Sequence, residues 1–277
     1  MGFETIIAID LGKFKSVACV MDVSTRQHHF ATVDTTPVAL HALLVRHATA
    51  ADPSRTLLII EACDAAGWVH DLAGSLGLCV KVANCCHEAW KWRRVKCKTD
   101  KDDALKLVRM ELQDELPTVH VPAPDRRQRR RLIQHRRSLV GRRTQCKNGI
   151  RSIFSQQGMT EQLPRGSKAW TNAGVAQLRE HARPLAECAI DELWRGRLHV
   201  ELELLEAVTA QVRLVEAKLD ELLEEDAPAK LLTTVPGVGP RLAETVAVCL
   251  DDRTGSRAAR KSPATRGWFR SRWRAGR

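Results

Sequence analysis

Three regimes of apolar and polar spacing follow one another along the chain. Over residues 5–118, short apolar runs alternate with stretches of helical spacing. Ile6–Asp10, Ser16–Met21 and His28–Val33 read as three short strands, the first two joined by a tight turn at Leu11-Gly12-Lys13. Helical spacing follows at Val38–His47. Leu57–Ile60 is a continuous apolar strand, Ala65–Leu76 a helix and Leu78–Val82 a further strand. Thr99 is placed to cap a helix whose apolar face is Ala104, Leu105, Leu107, Val108 and Leu112. Strands first, then strands alternating with helices, predict an α/β domain with a mixed sheet covered by helices.

The second regime is helical. Leu132, Leu139, Cys146 and Ile153 recur every seven residues within 126–154, and Ile133, Val140, Ile150 and Phe154 widen the stripe. Within 187–225, Leu205, Val208, Val212, Val215, Leu219 and Leu222 alternate by threes and fours. The second helix is acidic and the first basic, which predicts an antiparallel hairpin or coiled coil with a turn-rich connection near Gly158–Ser167. The third regime, 230–250, reads as helix, Gly-rich turn (Val235-Pro236-Gly237-Val238-Gly239-Pro240) and helix. This is the pattern of a helix-hairpin-helix, in which Gly237 and Gly239 let backbone N–H groups approach a phosphate and Arg241 adds charge.

Charge changes this picture in one respect. The net charge is +11, but residues 253–277 hold nine Lys/Arg and no acid, so the remainder is close to neutral. Basicity elsewhere is concentrated in 126–151, with eleven Lys/Arg and no acid. Arg126, Arg127, Arg129, Arg130, Arg131, Arg136, Arg137, Arg142 and Arg143 are therefore candidates for phosphate contact. Pairing with the acidic helix is the competing reading. No run is long enough to span a bilayer. The first residues lack a basic, apolar leader, and nine scattered cysteines suit a reducing, cytoplasmic setting. Cys85-Cys86-His87 has no second pair at zinc spacing and reads as structural.

Four acids carry the candidate chemistry. Asp10 and Glu61 each end an apolar strand, and Asp100 and Asp103 lie one turn apart at the start of the Thr99-capped helix. Asp10 taken alone could be a turn residue, Asp64 competes with Glu61, and Asp102 suits a purely capping role. As an ordered set, carboxylates at neighbouring strand ends and on a helix turn can converge on Mg²⁺ for work on phosphate esters.

Ile-Asp-Leu-Gly-Lys (9–13), Ile-Glu-Ala (60–62), Thr-Asp-Lys-Asp-Asp-Ala (99–104), the helical middle and Thr-Val-Pro-Gly-Val-Gly-Pro (234–240) resemble the insertion-sequence 110 family of bacterial transposases over roughly residues 5–252. The resemblance implies an RNase H-like domain at 1–118 with an Asp-Glu-Asp-Asp site at Asp10, Glu61, Asp100 and Asp103. It further implies a coiled-coil region at 119–226 and the start of a helical transposase domain at 227–252; the aberrant basic tail at 253–277, without apolar periodicity or acids, cannot bury a core and is expected to be disordered. It implies DNA recombination with Mg²⁺, a serine nucleophile in the C-terminal domain, a structured guide RNA, and assembly into a homo-oligomer.

The chain departs from the family after residue 252, where neither the Tyr-Ala-Gly-Leu-type segment nor the Ser-Gly context occurs, and no serine is nominated. A frameshift near codon 253 is expected, with loss of strand cleavage and with Val246, Val248 and Leu250 left without partners. Three alternatives stay open: an actin-like phosphotransferase, which would need further phosphate-cradling glycines; a Holliday-junction resolvase-like Mg²⁺ nuclease; and an inactive nucleic-acid binder.

Overall fold

The computed structural model describes residues 2–88 and 99–250. The chain divides into two compact units, 1–124 and a second beginning at Asp125. Expectations for residues 253–277 concern positions outside the described residues.

The first unit is built on a six-stranded mixed sheet. Its strands are β1 (Thr5–Asp10), β2 (Lys15–Asp22), β3 (His28–Asp34), β4 (Thr56–Glu61), β5 (Cys79–Ala83) and β6 (Thr118–Val119), in the order β3-β2-β1-β4-β5-β6. β1, β2 and β3 form an antiparallel meander, β4 and β5 lie parallel to β1, and β6 is antiparallel to β5. Two-residue alternation assigns the faces. Ile7, Ile9, Leu58 and Ile60 pack under α1 (Pro37–His47) and α2 (Ala66–Ser75). Ile6, Ala8, Leu57 and Ile59 pack under α3 (Asp100–Leu112), through Ala104, Leu107 and Val108. β4 is covered on both faces, which is why it reads as an unbroken apolar run.

The second unit pairs α4 (Pro124–Gln156) with α6 (Leu193–Glu224). Leu139 packs with Val212, Val215 and Leu219, while Ile150, Ile153 and Phe154 pack with Leu198, Leu202 and Leu205, so the helices run antiparallel. Glu201 would crowd any Cβ at position 149, and Gly149 permits this close approach. The connection is more ordered than its turn residues predict. It contains α5 (Asn172–Arg179), capped by Thr171, which accepts from the Gly174 N–H at 3.2 Å. Helix α6 starts at Leu193 rather than 187, because Leu185–Glu187 and Ile190–Glu192 form single 3-10 turns, the first lying against Gly196. α7 (Ala227–Thr233) and α8 (Pro240–Leu250) belong to this unit and pack at the base of the pair. Val248 is buried there and Val246 half-buried, so of the three residues expected to lack partners only Leu250 is exposed.

Beside Val248 sits Glu244, 6% exposed. Arg241 Nη1 lies 3.1 Å from its Oε2, yet among the described residues neither carboxylate oxygen receives a directed hydrogen bond. Burial, the largest influence, pushes its carboxyl above the ordinary range, Asp220 and Asp226 add to this, and Arg241 and Arg136 oppose it. A carboxyl with a raised pKa in the fold keeps its proton longer than in the unfolded chain. Stability from this group is thus full below the ordinary carboxylate pKa and is lost as pH rises through the elevated one. Glu244→Gln should therefore raise the melting temperature at pH 7 and flatten its pH dependence from acidic to neutral conditions. A lower melting temperature at pH 7 would mean that the Arg241 contact outweighs burial.

Candidate functional site

The C-terminal edge of β1 and β4 collects two of the four predicted acids. Ile9 pairs with Ile60 in parallel register, so Asp10 and Glu61 follow side by side. Asp10 continues the Ile6–Ala8 face and Glu61 the Leu57–Ile59 face, and Glu61 pairs with Ala83, which belongs to the same cluster. Both acids are half-buried on the α3 side of the sheet. The turn after Asp10 is tightly held. A Cβ on Gly12 would lie 2.2 Å from the Lys15 carbonyl oxygen. The Gly12 carbonyl accepts from Thr35 Oγ1 at 2.9 Å, and the Thr35 and Ser16 hydroxyls are 2.7 Å apart.

The acids of α3 divide by role. Asp102 closes a capping box: its N–H donates to Thr99 Oγ1, and its Oδ2 accepts from the Thr99 N–H at 2.9 Å and from the Thr99 hydroxyl at 2.7 Å. Those hydrogen bonds hold its carboxyl below the ordinary range. Asp103 is buried, beside Ala104 on the face turned to the sheet, and Asp100 is exposed one turn earlier. Asp64 is exposed.

All four predicted ligands are carboxylates, the donors a hard cation takes. Among the described residues, however, no three His, Cys, Asp or Glu side chains converge closely enough to hold a metal by themselves. The predicted four-acid convergence is thus not formed as a closed set of ligands. The Asp10–Glu61 edge suits Mg²⁺ nonetheless, since that ion commonly takes one or two carboxylates and fills its remaining positions with water and phosphate oxygens.

A further group lies at this edge, one whose sequence context marks it as structural. Cys85, in the loop after β5, places Sγ 3.3 Å from Glu61 Oε2. Burial, then the adjoining Glu61 carboxylate, pushes this thiol up to about 12. Nothing in the local sequence signals that contact; the β4–β5 register and the turn after β5 together produce it.

Four of the nine predicted arginines of α4 are engaged within their own unit. Arg126 and Arg129 donate to Asp226 Oδ2 at 2.7 and 2.9 Å, Arg130 to the Val248 carbonyl at 2.7 Å, and Arg136 Nε to Glu216 at 2.8 Å. Arg241 pairs with Asp220 and Glu244, so its charge is directed into the unit. Arg127 and Arg131 also have partners. Arg137 and Arg142 are exposed, and Arg143 is half-buried. Sequence reasoning missed one feature: Lys147 and Arg151, four residues apart, each lie 5.0 Å from the ring centre of Trp170. Burial first, then Arg143 and Arg151, hold the Lys147 pKa below its ordinary value. The i, i+4 spacing was legible in the sequence; the aromatic partner was not.

In the Gly-rich turn, Gly237 has φ +84° and the Val238 N–H donates to the Val235 carbonyl, so Gly237 is required by the backbone. Gly239 carries no such requirement, and a Cβ there would meet open space. Pro240 opens α8, as suits a residue without an N–H.

A family model described as "Transposase", that of the DEDD transposases of insertion sequence 110, matches residues 7–158, more than half of the chain. The chain belongs to the insertion-sequence 110 transposase family. The matched span runs from β1 through α4 and so contains Asp10, Glu61, Asp100 and Asp103. This transposase-family chain is also similar to the Sinorhizobium fredii protein named "Putative transposase y4rJ", at 28% identity over 208 residues. That similarity covers 68% of this chain and 50% of the relative, so the chain spans about half the relative's length. No described helix of the transposase-family chain is long and apolar enough to cross a membrane.

Proposed function

We propose that this chain is a DNA transposase subunit whose first unit is an RNase H-like domain with its site at Asp10, Glu61, Asp100 and Asp103. The observation that carries this reading is the placement of Asp10 and Glu61 just past the Ile9–Ile60 pair at the ends of adjacent parallel strands, on the face covered by the helix that bears Asp103. Bound Mg²⁺ would neutralise phosphate charge and polarise the scissile P–O bond. Asp10 and Glu61 would hold the ion, the Gly12 turn would fix the reach of Asp10, and Asp102 would keep α3 in place. The strand-attacking serine of the family stays unassigned in this chain.

Nucleic acid, both element DNA and a structured guide RNA, would lie along the part of α4 that bears Arg137, Arg142 and Arg143, and near Lys147, Arg151 and Trp170. Contacts there would be to phosphates and sequence-independent. The α7–turn–α8 segment would act as a helix-hairpin-helix through the open space at Gly239. Homo-oligomerisation through the coiled-coil region is supported by a second apolar stripe on α6: Val200, Leu204 and Leu214 are exposed on the face away from α4. A cytoplasmic location accords with this reading.

The test is Mn²⁺ binding to the full chain, followed by electron paramagnetic resonance with and without a short duplex. Asp10→Asn and Glu61→Gln should each weaken binding by at least about tenfold, and duplex DNA should tighten it only in the unsubstituted protein. Equal affinity in all three proteins would overturn the assignment.

A further inference from the structure

The loop that follows β5 is folded back over the end of β4 by a definite set of bonds. The Asn84 N–H donates to the Pro117 carbonyl at 2.7 Å. The Asn84 side chain accepts from the Cys86 N–H at 3.1 Å, and its carbonyl accepts from the His87 N–H at 3.1 Å. Such an Asx turn fixes the backbone without help from the rest of the fold. The Ala62 N–H closes onto the Ala83 carbonyl at 3.1 Å and ties the two strand ends together. Cys85 lies in the turn two residues past Ala83, the register partner of Glu61, and the turn brings its sulfur to Glu61. Its sulfur is 3.3 Å from Glu61 Oε2 and 3.7 Å from the Ala83 carbonyl oxygen. A thiol has one proton to give, and the shorter, charged acceptor takes it.

We propose that Cys85 is a positioning residue for Glu61: its S–H donates to Oε2 and restricts the carboxylate to the orientation in which it meets a divalent cation at the sheet edge. The proposal rests on the reading of Glu61 as a metal-holding residue. A glutamate side chain has three rotatable bonds and loses much freedom when it is ordered. A donor from a neighbouring loop removes part of that freedom before the ion arrives, and partners that orient a ligand are worth a measurable part of metal affinity. The neighbouring Cys86 is exposed and its backbone N–H belongs to the Asx turn, so its side chain provides an internal control.

The experiment is a Mn²⁺ titration of the full chain in six forms: unsubstituted, Cys85→Ala, Cys85→Ser, Cys86→Ala, Glu61→Gln and the Cys85→Ala/Glu61→Gln double variant, with thermal unfolding recorded for each. Cys85→Ala should weaken Mn²⁺ binding by about three- to tenfold with little change in melting temperature. Cys85→Ser, which keeps a hydroxyl donor, should return to within about twofold of the unsubstituted affinity, and Cys86→Ala should not differ from it. In a Cys85→Ala/Glu61→Gln double variant, the loss should not exceed that of Glu61→Gln alone, because the two changes remove one interaction. If Glu61→Gln loses affinity and Cys85→Ala does not, positioning by Cys85 is refuted while the metal site stands. An equal loss in Cys85→Ala and Cys85→Ser refutes it as well, since packing rather than donation would then be the cause. If Glu61→Gln itself binds normally, the metal-site reading fails and the inference falls with it.

Discussion

Asp226→Ala is expected to destabilise the helical unit by about 3–5 kcal/mol, the cost of removing one partner from a buried ion pair. Asp226 is 5% exposed, and one of its oxygens receives both the Arg126 and Arg129 guanidinium groups. Its other oxygen accepts from the Ala229 N–H at 3.2 Å and caps α7. Alanine would leave two partly buried positive charges uncompensated and uncap the helix, with the cap adding about 1 kcal/mol. Asp226→Asn keeps a capping oxygen but loses the charge, so it should fall between. Denaturant unfolding monitored by hydrogen exchange would locate the loss: amides at the α7 start and in the adjoining turns of α4 and α6 should lose protection first. If Asp226→Ala unfolds at the same denaturant concentration as the unsubstituted chain, the arginines find other partners and this carboxylate does not hold the base together.

Gly12→Ala is expected to damage the acid site more than its size suggests. The new methyl group would lie 2.2 Å from the Lys15 carbonyl oxygen, a distance no folded backbone tolerates, so the β1–β2 turn must open. Opening it strains the Thr35 hydrogen bond to the Gly12 carbonyl and shifts the strand end that holds Asp10. Overpacking of this kind costs about 1–3 kcal/mol. The effect on the proposed metal site should be larger, because Asp10, its proposed ligand, lies two residues away and a ligand displaced by about 1 Å loses most of its value. Mn²⁺ affinity should therefore drop at least as far in Gly12→Ala as in Asp10→Asn, while Gly239→Ala, whose methyl group meets open space, leaves it unchanged. Retained affinity in Gly12→Ala would show that the turn does not set the reach of Asp10.

What could be read from the sequence was whatever a local pattern specifies. The run Leu57–Ile60 marks a strand buried on both faces because it has no polar side to give away. The Thr99-x-x-Asp102 spacing separates the capping acid from Asp100 and Asp103, since a capping box needs that interval. The seven-residue steps of Leu132 and Leu139 placed the hairpin seam, although at its end Leu223 rather than Leu222 is the more buried residue. A helix of 3.6 residues per turn drifts against a strict heptad in this way.

The features missed depend on distant partners. β6 is two residues long and exists only because Val82 and Ala83 offer it a ladder. The arginines of α4 are alike in sequence, and only the position of Asp226, Glu216 and the Val248 carbonyl decides which turn inward. The contact of Cys85 with Glu61 follows from the β4–β5 register together with the turn at Asn84, and the register is encoded by no local spacing.

The antiparallel pairing of α4 and α6 also limits how this unit can change in length. Arg126 meets Asp226 and Arg136 meets Glu216, so ten positions along α4 match the ten that run from Glu216 past the end of α6 to Asp226, the cap of α7, counted in opposite directions. A single-residue deletion in the middle of α4 would rotate everything beyond it by about 100°. It would also set each remaining partner against the wrong neighbour. Viable length variants must therefore remove or add matched segments in both helices, close to whole heptads, whereas residues 157–192 can gain or lose length without touching the register. Among relatives, the hairpin should lengthen in paired steps and its connection one residue at a time.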